Sequence, residues 1–436
     1  MKQMSYSRSL AVEDGWDVIV CGSGPSGICA AVSAARQGQK TLLLERYGAL
    51  GGNLTLGNVT TIMGDIASGG LSGEIDRLLH SPDTATGIDR EKAKLRLTRL
   101  ISDAGVQFRL QTPVTDVIRE GKEIRGFVVL TPEGPACLKG KVYVDATGDG
   151  YVAAMAGAEV MYGRDGDGLV QPVSMMYTID GVDPKNTLTC CHEEHTTVME
   201  NGVEYLALCK EADRAGRLPK NVSIVRLYHT NVPGERLVNA TQYNGCHTLK
   251  ATEIAQAETI LQQQLEQVND FLRREVPGFE HIRVRASADT LGIRESRRIR
   301  GLYELKAEDL LRGRQFEDAV VNGANFAIDI HNPSGGGQSE TEGCPHQAQP
   351  YDIPMRALQP LGLDNLVLAG RCISGSHRAH ASYRVMNIAM AVGQAAGCMA
   401  SEAAEQKCKV SELSAEAVRR RLTDQGCTLR GKTENK

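Results

Sequence analysis

The most constraining stretch of this 436-residue chain is a glycine-rich turn between a strand-like and a helix-like segment. Residues 17–21 read DVIVC, a short β-branched run that predicts a buried strand, and the Ala-rich residues 26–37 predict a helix. Between them Gly22, Gly24 and Gly27 have the spacing G-x-G-x-x-G. A second apolar run, KTLLLE, follows, so the chain is expected to begin with a βαβ unit and parallel strands.

Each of these glycines has a separate task in a phosphate-binding turn. Gly22 permits the tight turn, Gly24 lets the backbone approach a pyrophosphate, and Gly27 lets the helix pack on the strand. The helix N-terminus adds N–H groups and the positive end of its dipole. Glu45 ends the second strand, where a carboxylate accepts hydrogen bonds from both ribose hydroxyls. Because an acid there disfavours a 2′-phosphate, the pattern predicts NAD or FAD rather than NADP.

Two distant segments decide between NAD and FAD. The strand-like residues 141–145 end in ATGDG, and the buried run NLVLAGR comes more than 200 residues later, before a Gly- and Ala-rich helix. In NAD dehydrogenases the nucleotide domain is usually one continuous block. In flavoproteins with two dinucleotide-binding domains it is split, and a C-terminal strand and helix return to hold the flavin. The split pattern therefore predicts FAD.

The rest of the chain contains a candidate meander and a candidate inserted domain. Residues 106–145 alternate and are broken by EGKE and PEGP, which predicts an antiparallel meander. Residues 251–275 predict a long helix that stops at Pro277-Gly278, and CISGSHRAHAS predicts a loop before the last long helix, with Ser382 as its N-cap. The predicted domains are an FAD domain from residues 16–159 and 346–405, a substrate or cap domain at 160–345, and a helical tail at 406–436.

Bulk composition excludes several classes of protein. The chain is 41% hydrophobic and 23% charged with a net charge of -4, which is ordinary for a globular protein and gives no reason to expect nucleic acid as a partner. It has no uninterrupted apolar run long enough for a membrane span and no apolar leader at its start, so we expect a cytoplasmic protein. Its 12 cysteines include no C-x-x-C pair, and no metal site is expected.

Several stretches together resemble the FAD-dependent oxidoreductase family of the glutathione-reductase-like, two-dinucleotide-binding superfamily, which is related to fumarate reductase flavoproteins. They are the N-terminal DVIVCGSGPSGICAAVSAARQGQKTLLLERYGALGGN, then VDATGDG, LGIRESRRIRGLYEL, YDIPMRALQPLGLDNLVLAGRCISGSHRAHASYRVM and GQAAG. The resemblance runs from residue 17 to about residue 400. It implies an α/β fold: a Rossmann-like FAD-binding domain, with a parallel sheet plus a β-meander, and an inserted α+β substrate domain.

The resemblance also implies non-covalent FAD, since the loop GGNLT has no histidine to link a flavin. The glycine turn and Glu45 hold the ADP half, Val114 touches adenine through its backbone, and the start of the last long helix points its dipole at the flavin. Disulfide reductases have Gly-Asp where this chain has Gly370 and Arg371, so their ribityl hydrogen bond is not expected here. The implied cofactor-binding residues are Gly22, Gly24, Pro25, Ser26, Gly27, Glu45, Arg46, Gly52, Asn53, Leu54, Thr55, Val114, Ala146, Thr147, Gly148, Gly370, Arg371, Val385, Met386 and Asn387.

Catalytic candidates come from three segments, and each has a structural alternative. SHRAHASYR brings His377, His380 and Tyr383 to the loop before the flavin-facing helix. There the histidines either transfer protons or have a structural role, and Tyr383 either lines the substrate pocket or packs in the core. IRESRRIRG offers Arg294, with Arg297, to bind a substrate carboxylate, or else an ion-pair network between domains. His331 precedes a Gly-rich stretch running to about residue 349, which is either a lid or a disordered loop.

The leading functional hypothesis is an FAD-dependent dehydrogenase or oxidase that moves a hydride between a small organic substrate and flavin N5. Its electron acceptor is oxygen, a quinone or a carrier protein, and an oligomer is left open. One alternative is a reductase of an activated C=C bond resembling fumarate reductase. Others are an electron-relay subunit of a larger complex and an FAD-dependent isomerase or lyase without net redox change.

Overall fold

The structure is a computed structural model that describes residues 4, 7–80, 87–191, 197–337 and 347–430. Its strands are β1 (Ala11–Cys21), β2 (Thr41–Leu44), β3 (Gln107–Arg109), β4 (Val114–Glu120), β5 (Glu123–Thr131), β6 (Gly134–Asp145), β7 (Val160–Tyr162), β8 (Tyr177–Asp180), β9 (Arg226–His229), β10 (Arg236–Asn239), β11 (Arg283–Ser287), β12 (Arg297–Ile299), β13 (Ala319–Ala324), β14 (Tyr351–Pro354) and β15 (Leu366–Leu368). Its helices are α1 (Pro25–Arg36), α2 (Leu71–Leu79), α3 (Arg90–Asp103), α4 (Tyr151–Met155), α5 (Tyr205–Arg214), α6 (Ala251–Glu275), α7 (Ala307–Leu311), α8 (His377–Tyr383), α9 (Met386–Gln406) and α10 (Ala415–Asp424).

The main sheet has the order β3-β2-β1-β6-β5-β4, and β15 pairs with β6. The strands β1, β2, β3, β6 and β15 run parallel, while β4 and β5 are antiparallel to their neighbours. Strands β1 and β6 are buried over their C-terminal halves because α1 and α9 pack on one face and supply small residues there. The parallel sheet, the meander and the α/β fold class are thus confirmed.

The two ends of the chain meet in this sheet. Strand β15 lies beside β6 with Val367 opposite Val144, although the two residues are far apart in sequence. Helices α1 and α9 pack so closely that a Cβ on Gly393 would lie 2.0 Å from the carbonyl oxygen of Ser26. Only glycine fits at that crossing, and it fixes how the C-terminal helix reaches the glycine turn of β1 and α1.

Two details differ from the prediction. Strand β3 pairs in parallel with β2, so it extends the parallel sheet instead of opening the meander, which consists of β4, β5 and β6. The predicted loop CISGSHRAHAS contains α8, whose N-cap Ser376 accepts a hydrogen bond from the Ala379 amide. Ser382 lies inside α8 and donates to the Phe326 carbonyl, so it is not the N-cap of α9; that position is Val385.

A smaller antiparallel sheet, with the order β11-β8-β10-β9, covers the long helix α6. Its core contains the predicted apolar face of α6, including Leu261, Leu265 and Val268. We call this unit, residues 173–293, the cap. Residues 299–330 instead pack in the larger core with the main sheet, although the sequence placed all of 160–345 in one inserted domain. The domain boundaries stay a prediction, and this packing favours a shorter inserted segment.

None of the helices in the described ranges is long and apolar enough to cross a membrane.

Candidate functional site

The glycine turn leaves open space where a pyrophosphate has to approach. Gly22 has a φ of 93°, and a Cβ there would lie 2.5 Å from the Ala146 carbonyl oxygen. A Cβ on Gly27 would lie 1.8 Å from the Gly22 carbonyl oxygen. By contrast, a Cβ on Gly24 would meet nothing within 4 Å. The first and third glycines are therefore required by packing, and the second faces a cradle that fits a dinucleotide phosphate.

Glu45, the residue predicted to hold the ribose, has a carboxylate that is fixed by hydrogen bonds. It is buried at the end of β2, where Oε2 accepts from the Ser23 amide (2.8 Å) and hydroxyl (2.6 Å), and Oε1 accepts from the Tyr47 amide (2.9 Å). A carboxylate fixed by donors on both oxygens is pre-oriented and keeps lone pairs for ribose hydroxyls. The segment before Val114 lies next to Glu45, because the backbone amide of Thr112 donates a hydrogen bond to the Glu45 carbonyl. The role of Val114 at adenine stays a prediction.

The loop after β2 lies directly against the glycine turn. The Gly51 amide donates to the Ser23 carbonyl, and a Cβ on Gly52 would lie 2.9 Å from the Gly24 Cα. Leu54 is buried, and the hydroxyl of Thr55 donates to the Leu50 carbonyl at 2.5 Å. The loop is therefore adjacent to the predicted cofactor site, and the Thr55 hydroxyl spends its one hydrogen-bond donor within the loop.

A second set of polar groups surrounds the phosphate cradle. Ser26, at the start of α1, has a buried hydroxyl with no hydrogen-bond partner among the described residues, and the same holds for the Nε of Arg371. Gly370, the residue before Arg371, lies next to Ser26, since a Cβ on it would lie 3.3 Å from the Ser26 Oγ. A buried hydroxyl and a buried guanidinium N–H without acceptors are what a phosphate at the α1 N-terminus would satisfy. The residues present therefore fit a dinucleotide.

The turn ATGDG completes this side of the site. Asp145, whose pKa is raised by burial, holds the turn through bonds from the Thr147 hydroxyl (2.7 Å) and the Ala153 amide (2.8 Å). The guanidinium of Arg371 lies on Gly148, where a Cβ would be 2.9 Å from its Cζ. Asp149 forms an ion pair with Arg371 and lies 3.7 Å from Arg46. The sequence did not single out Asp149.

The start of α9 carries the predicted flavin-facing residues. Val385 is its N-cap, and no side chain in the described ranges caps that end. Asn387 ties the helix to the segment after the GGN loop, because its amide donates to the Met63 carbonyl (3.1 Å) and its Nδ2 to the Gly64 carbonyl (2.8 Å). Val385 and Met386 are buried beside it. Contact of these three residues with a flavin stays a prediction.

Helix α8 places two histidines in a buried polar environment. The Nδ1 of His377 lies 2.8 Å from Oε1 of Glu295, a fully buried carboxylate that also pairs with Arg298. Both ring nitrogens of His380 are buried without a hydrogen-bond partner among the described residues. Burial, followed by the nearby Arg298 and Arg384, lowers the pKa of His380 far below its usual value, so this ring is neutral at pH 7.

Tyr383 has a packing role in this structure. Its hydroxyl donates to the Ile373 carbonyl at 3.1 Å, and its ring fills the space in front of Gly375, where a Cβ would lie 2.5 Å away. Burial raises the pKa of Tyr383 above its usual value. Its predicted part in catalysis finds no support in these contacts.

The two arginines predicted to share a carboxylate point in different directions. Arg294 donates through Nη1 to the Pro172 carbonyl (3.0 Å) and the Ser174 hydroxyl (2.9 Å). Arg297 donates to the carbonyl of Asp149 at 2.9 Å. These contacts do not bring the two arginines together, so they give no support to a bidentate clamp by Arg294 and Arg297, which stays a prediction.

Arg294 belongs instead to a buried charge cluster with Asp329, His331 and Arg384, which we call the arginine–histidine cluster. Arg384 donates through Nη2 to the carbonyl and carboxylate of Asp329 at 3.1 Å, and His331 Nε2 lies 3.6 Å from that carboxylate. Burial would raise the pKa of Asp329, but His331, Arg384 and Arg294 hold it below its usual value. Burial and Arg294 lower the pKa of His331 to about 4.

This cluster connects the cap to the predicted flavin site. Arg294 and His331 line a cavity in the cap, and Arg384 immediately precedes the N-cap Val385 of α9. Sequence reasoning missed Asp329, for which the only signal was its alternate spacing with His331 in DIH. The predicted lid falls partly on residues 338–346, which lie outside the described residues. The described ranges contain no group of three or more His, Cys, Asp or Glu residues arranged to hold a metal ion.

Comparison with known proteins agrees with this geometry. The sequence profile of the family described as FAD dependent oxidoreductase matches residues 17–422.

Two curated relatives match part of the chain. The thiamine thiazole synthase of Aeropyrum pernix is 32% identical over 159 residues, which cover 33% of this chain and 58% of the relative. The thioredoxin reductase of Aquifex aeolicus is 31% identical over 123 residues, covering 27% of this chain and 34% of the relative. The chain thus spans about half and about a third of the length of these two relatives.

Solved structures match over most of the chain at low identity. A geranylgeranyl bacteriochlorophyll reductase-like protein from Thermoplasma acidophilum is 14% identical, with a TM-score of 0.49, over 95% of this chain and 92% of that one. The anhydrotetracycline hydroxylase OxyS from Streptomyces rimosus is 14% identical, with a TM-score of 0.45, over 95% of this chain and 66% of that one.

Proposed function

The chain belongs to the FAD dependent oxidoreductase family and its cofactor is FAD; on that basis we propose that it moves a hydride between a small organic substrate and N5 of the flavin. The glycine cradle, Glu45 and the C-terminal return of β15 and α9 support the further proposal that it belongs to the two-dinucleotide-binding superfamily, related to fumarate reductase flavoproteins. The proposed partners are a small-molecule substrate and an electron acceptor: oxygen, a quinone or a carrier protein.

The observation that carries this proposal is the arginine–histidine cluster. It starts in the wall of the cap cavity, at Arg294 and His331, and ends at Arg384, beside the α9 N-terminus. The cluster therefore connects a substrate held in that cavity to the start of α9. Perturbed titratable groups that converge on a cavity are typical of catalytic sites.

The residues of the cluster suit proton transfer next to a redox centre. Bound FAD supplies a two-electron acceptor or donor at N5. His331 is neutral at pH 7 because its pKa is lowered to about 4, so a ring nitrogen is available to take a proton. Asp329, held ionised by its cationic neighbours, then stabilises the imidazolium that forms. Arg384 fixes Asp329 through two oxygens.

One observation favours a second candidate, a reductase of an activated C=C bond. Burial and the neighbouring Arg384 lower the pKa of Arg294 to about 10, which makes this guanidinium a better proton donor than an exposed arginine. That activity predicts that an unsaturated acid reoxidises the pre-reduced enzyme, and that Arg294→Gln abolishes the reaction.

The experiment is an anaerobic half-reaction. Purified protein, with its FAD content measured after denaturation, is mixed with hydroxy acids, amino acids, sugars and polyols while the flavin absorption band is followed. We expect one class to bleach the flavin, and His331→Gln to slow bleaching by about 10²- to 10⁴-fold. The matched control is His281→Gln, since His281 is exposed on the cap. Protein that folds but binds no FAD, or a flavin that no compound of the four classes reduces, contradicts the proposal.

A further inference from the structure

The cap cavity has a wall rich in hydrogen-bonding groups and cations. It lies against the strands β9 and β10, and its polar lining includes Ser223, Arg226, Asn239, Arg294 and His331. None of the described residues that line it is acidic. The cavity volume is about 30 Å³, which is space for about two water molecules.

Among the described residues, the charged groups behind this wall include two arginines and the carboxylate of Asp329. The carboxylate of Asp329 acts on both Arg294 and Arg384, and Arg384 lies close enough to Arg294 to lower the pKa of Arg294. Glu295 also acts on Arg384, and it pairs with Arg298 and His377. Because a buried cation is costly unless it is paired, an anion bound to Arg294 would add a favourable charge–charge interaction.

The hydrogen bonds of Arg294 show where that anion fits. Both of its bonds to described residues leave from Nη1, to the Pro172 carbonyl and the Ser174 hydroxyl. The Nε and Nη2 atoms have no acceptor among the described residues, although Arg294 lines the cavity. Nε and one terminal nitrogen form the edge of a guanidinium that binds a carboxylate through two parallel hydrogen bonds.

We infer that the cap cavity binds a small hydroxy acid, with the carboxylate on Arg294 and the hydroxyl group beside His331. The inference rests on the proposed function, which it deepens by naming the substrate class. Bound FAD would supply the two-electron acceptor for oxidation of the hydroxy acid to an oxo acid, and a ring nitrogen of His331 would accept the hydroxyl proton, so that atoms and electrons balance.

The same site discriminates against compounds of similar size. An amino acid brings an ammonium group into a positively charged wall that has no acidic side chain among the described residues to receive it. A neutral diol or amide offers no charge to the free edge of Arg294. Binding of the carboxylate also reduces the field of Arg294 at His331, and this makes the imidazole a stronger base when substrate is present.

The test is a binding titration of the FAD-loaded protein with glycolate, lactate and glycerate, each at constant ionic strength. The matched neutral or zwitterionic probes are lactamide, 1,2-propanediol and alanine. Binding is read from the thermal unfolding midpoint and from the visible spectrum of the flavin, under anaerobic conditions. We expect saturable binding of at least one of the three acids, and at least about 10-fold weaker binding of its amide, diol and amino-acid counterparts.

Two variants locate the anion. Arg294→Gln is expected to weaken binding of the acid by about 10- to 100-fold, and Arg294→Lys to recover part of it. The control is Arg283→Gln, on the exposed pair with Asp180 in the same cap sheet, which leaves binding unchanged. Far-UV circular dichroism establishes that each variant is folded. If Arg294→Gln does not fold, two measurements still test the anion site. One is the affinity of Arg294→Lys for the acid compared with that of Arg283→Gln, and the other is the series of charged and neutral ligands on the wild-type protein.

The outcomes separate this inference from the proposed function. Three outcomes overturn the hydroxy-acid assignment: equal binding of lactate and lactamide, no binding of any of the three acids, or flavin reduction by a neutral polyol but by no acid. The third outcome leaves the oxidoreductase proposal standing. Acids that bind through Arg294 without flavin reduction by any compound support the anion site and contradict the proposed function.

Discussion

The Nδ1 of His377 lies 2.8 Å from Oε1 of Glu295, a carboxylate with no solvent exposure that joins helix α8 to the segment leading into β12. Arg298 pairs with the same oxygen and donates to the carbonyls of Gly375 and Gly163. One buried carboxylate therefore compensates a guanidinium and orients a histidine.

Replacing Glu295 with Gln keeps the shape of the side chain and removes its charge. Because Arg298 then stays buried without a counter-charge, we expect the free energy of unfolding to fall by about 3–5 kcal/mol. Urea unfolding followed by far-UV circular dichroism measures this change. The control is Glu304→Gln, on the partly exposed pair with Arg300, where the expected loss is about 0–1 kcal/mol. Equal losses in the two variants would show that Glu295 compensates nothing.

The alanine variants of Gly24 and Gly27 are expected to lose different properties: FAD binding in the first and stability of the apoprotein in the second. The new methyl group of Gly24→Ala meets no protein atom within 4 Å, so the apoprotein keeps its thermal midpoint, but the methyl occupies the cradle and weakens FAD binding by at least about 10-fold. Gly27→Ala collides with the Gly22 carbonyl and destabilises the apoprotein itself. Retained FAD after gel filtration and the apoprotein midpoint are measured on both variants. A Gly24→Ala protein that retains FAD like wild type would place the cofactor elsewhere.

Arg371 is expected to recognise the phosphates of FAD. Its Nε is buried without an acceptor among the described residues, its neighbour Gly370 lies against the Ser26 side chain at the α1 N-terminus, and Asp149 pairs with its Nη2. Arg371→Gln should therefore weaken FAD binding by about 10- to 100-fold, as for loss of a charge-assisted hydrogen bond, and leave riboflavin binding unchanged.

Fluorescence titration of apoprotein with the two flavins makes this comparison. Arg356→Gln, on the surface pair with Asp318, is the control and should bind both flavins like wild type. An equal loss of FAD and riboflavin affinity in Arg371→Gln would assign Arg371 to the ribityl chain or the flavin ring instead of the phosphates.

The parts of the fold that sequence predicted are those governed by local rules. The turn at Gly22 to Gly27, the helix Ala251–Glu275 and the return of a C-terminal strand depend on short-range spacing and apolar periodicity, and the structure has all three. Helix α8 was missed because its seven residues are too few for a period, and its signal is the N-cap Ser376. Strand β3 was placed in the meander because three residues do not reveal whether their pairing is parallel.

The candidate site was less predictable because its contacts are long-range. Glu295 and His377 are 82 positions apart, and nothing in either local pattern indicates that they meet. Arg294 and Arg297 are close in sequence, but the chain turns between the cap and the main sheet there, and this sends the two side chains to different partners. Spacing identifies residues capable of the chemistry, whereas the packing of the cap on the main sheet selects the ones that converge.

The stability of the folded chain should report the protonation state of His331. Burial and Arg294 lower its pKa in the folded state to about 4, whereas an unfolded histidine has a pKa of about 6.5. Between these values the unfolded chain binds a proton that the folded chain does not, so the free energy of unfolding decreases as the pH falls from about 6.5 to about 4. His380, whose pKa is lowered as well, contributes with the same sign.

His331→Gln removes one of these two contributions. The free energy of unfolding of the variant should therefore fall less steeply than that of wild type over this window, by up to about 1.4 kcal/mol per pH unit, and the two slopes should agree above about pH 7. Urea unfolding at a series of pH values measures the difference, with the exposed His281→Gln as the variant that keeps the wild-type slope. If His331→Gln and wild type have the same slope below pH 6.5, then the pKa of His331 is the same in the folded and the unfolded chain. That outcome contradicts the lowered pKa on which the proton-acceptor role of His331 rests, and the proton acceptor has to be sought at His377 or His380.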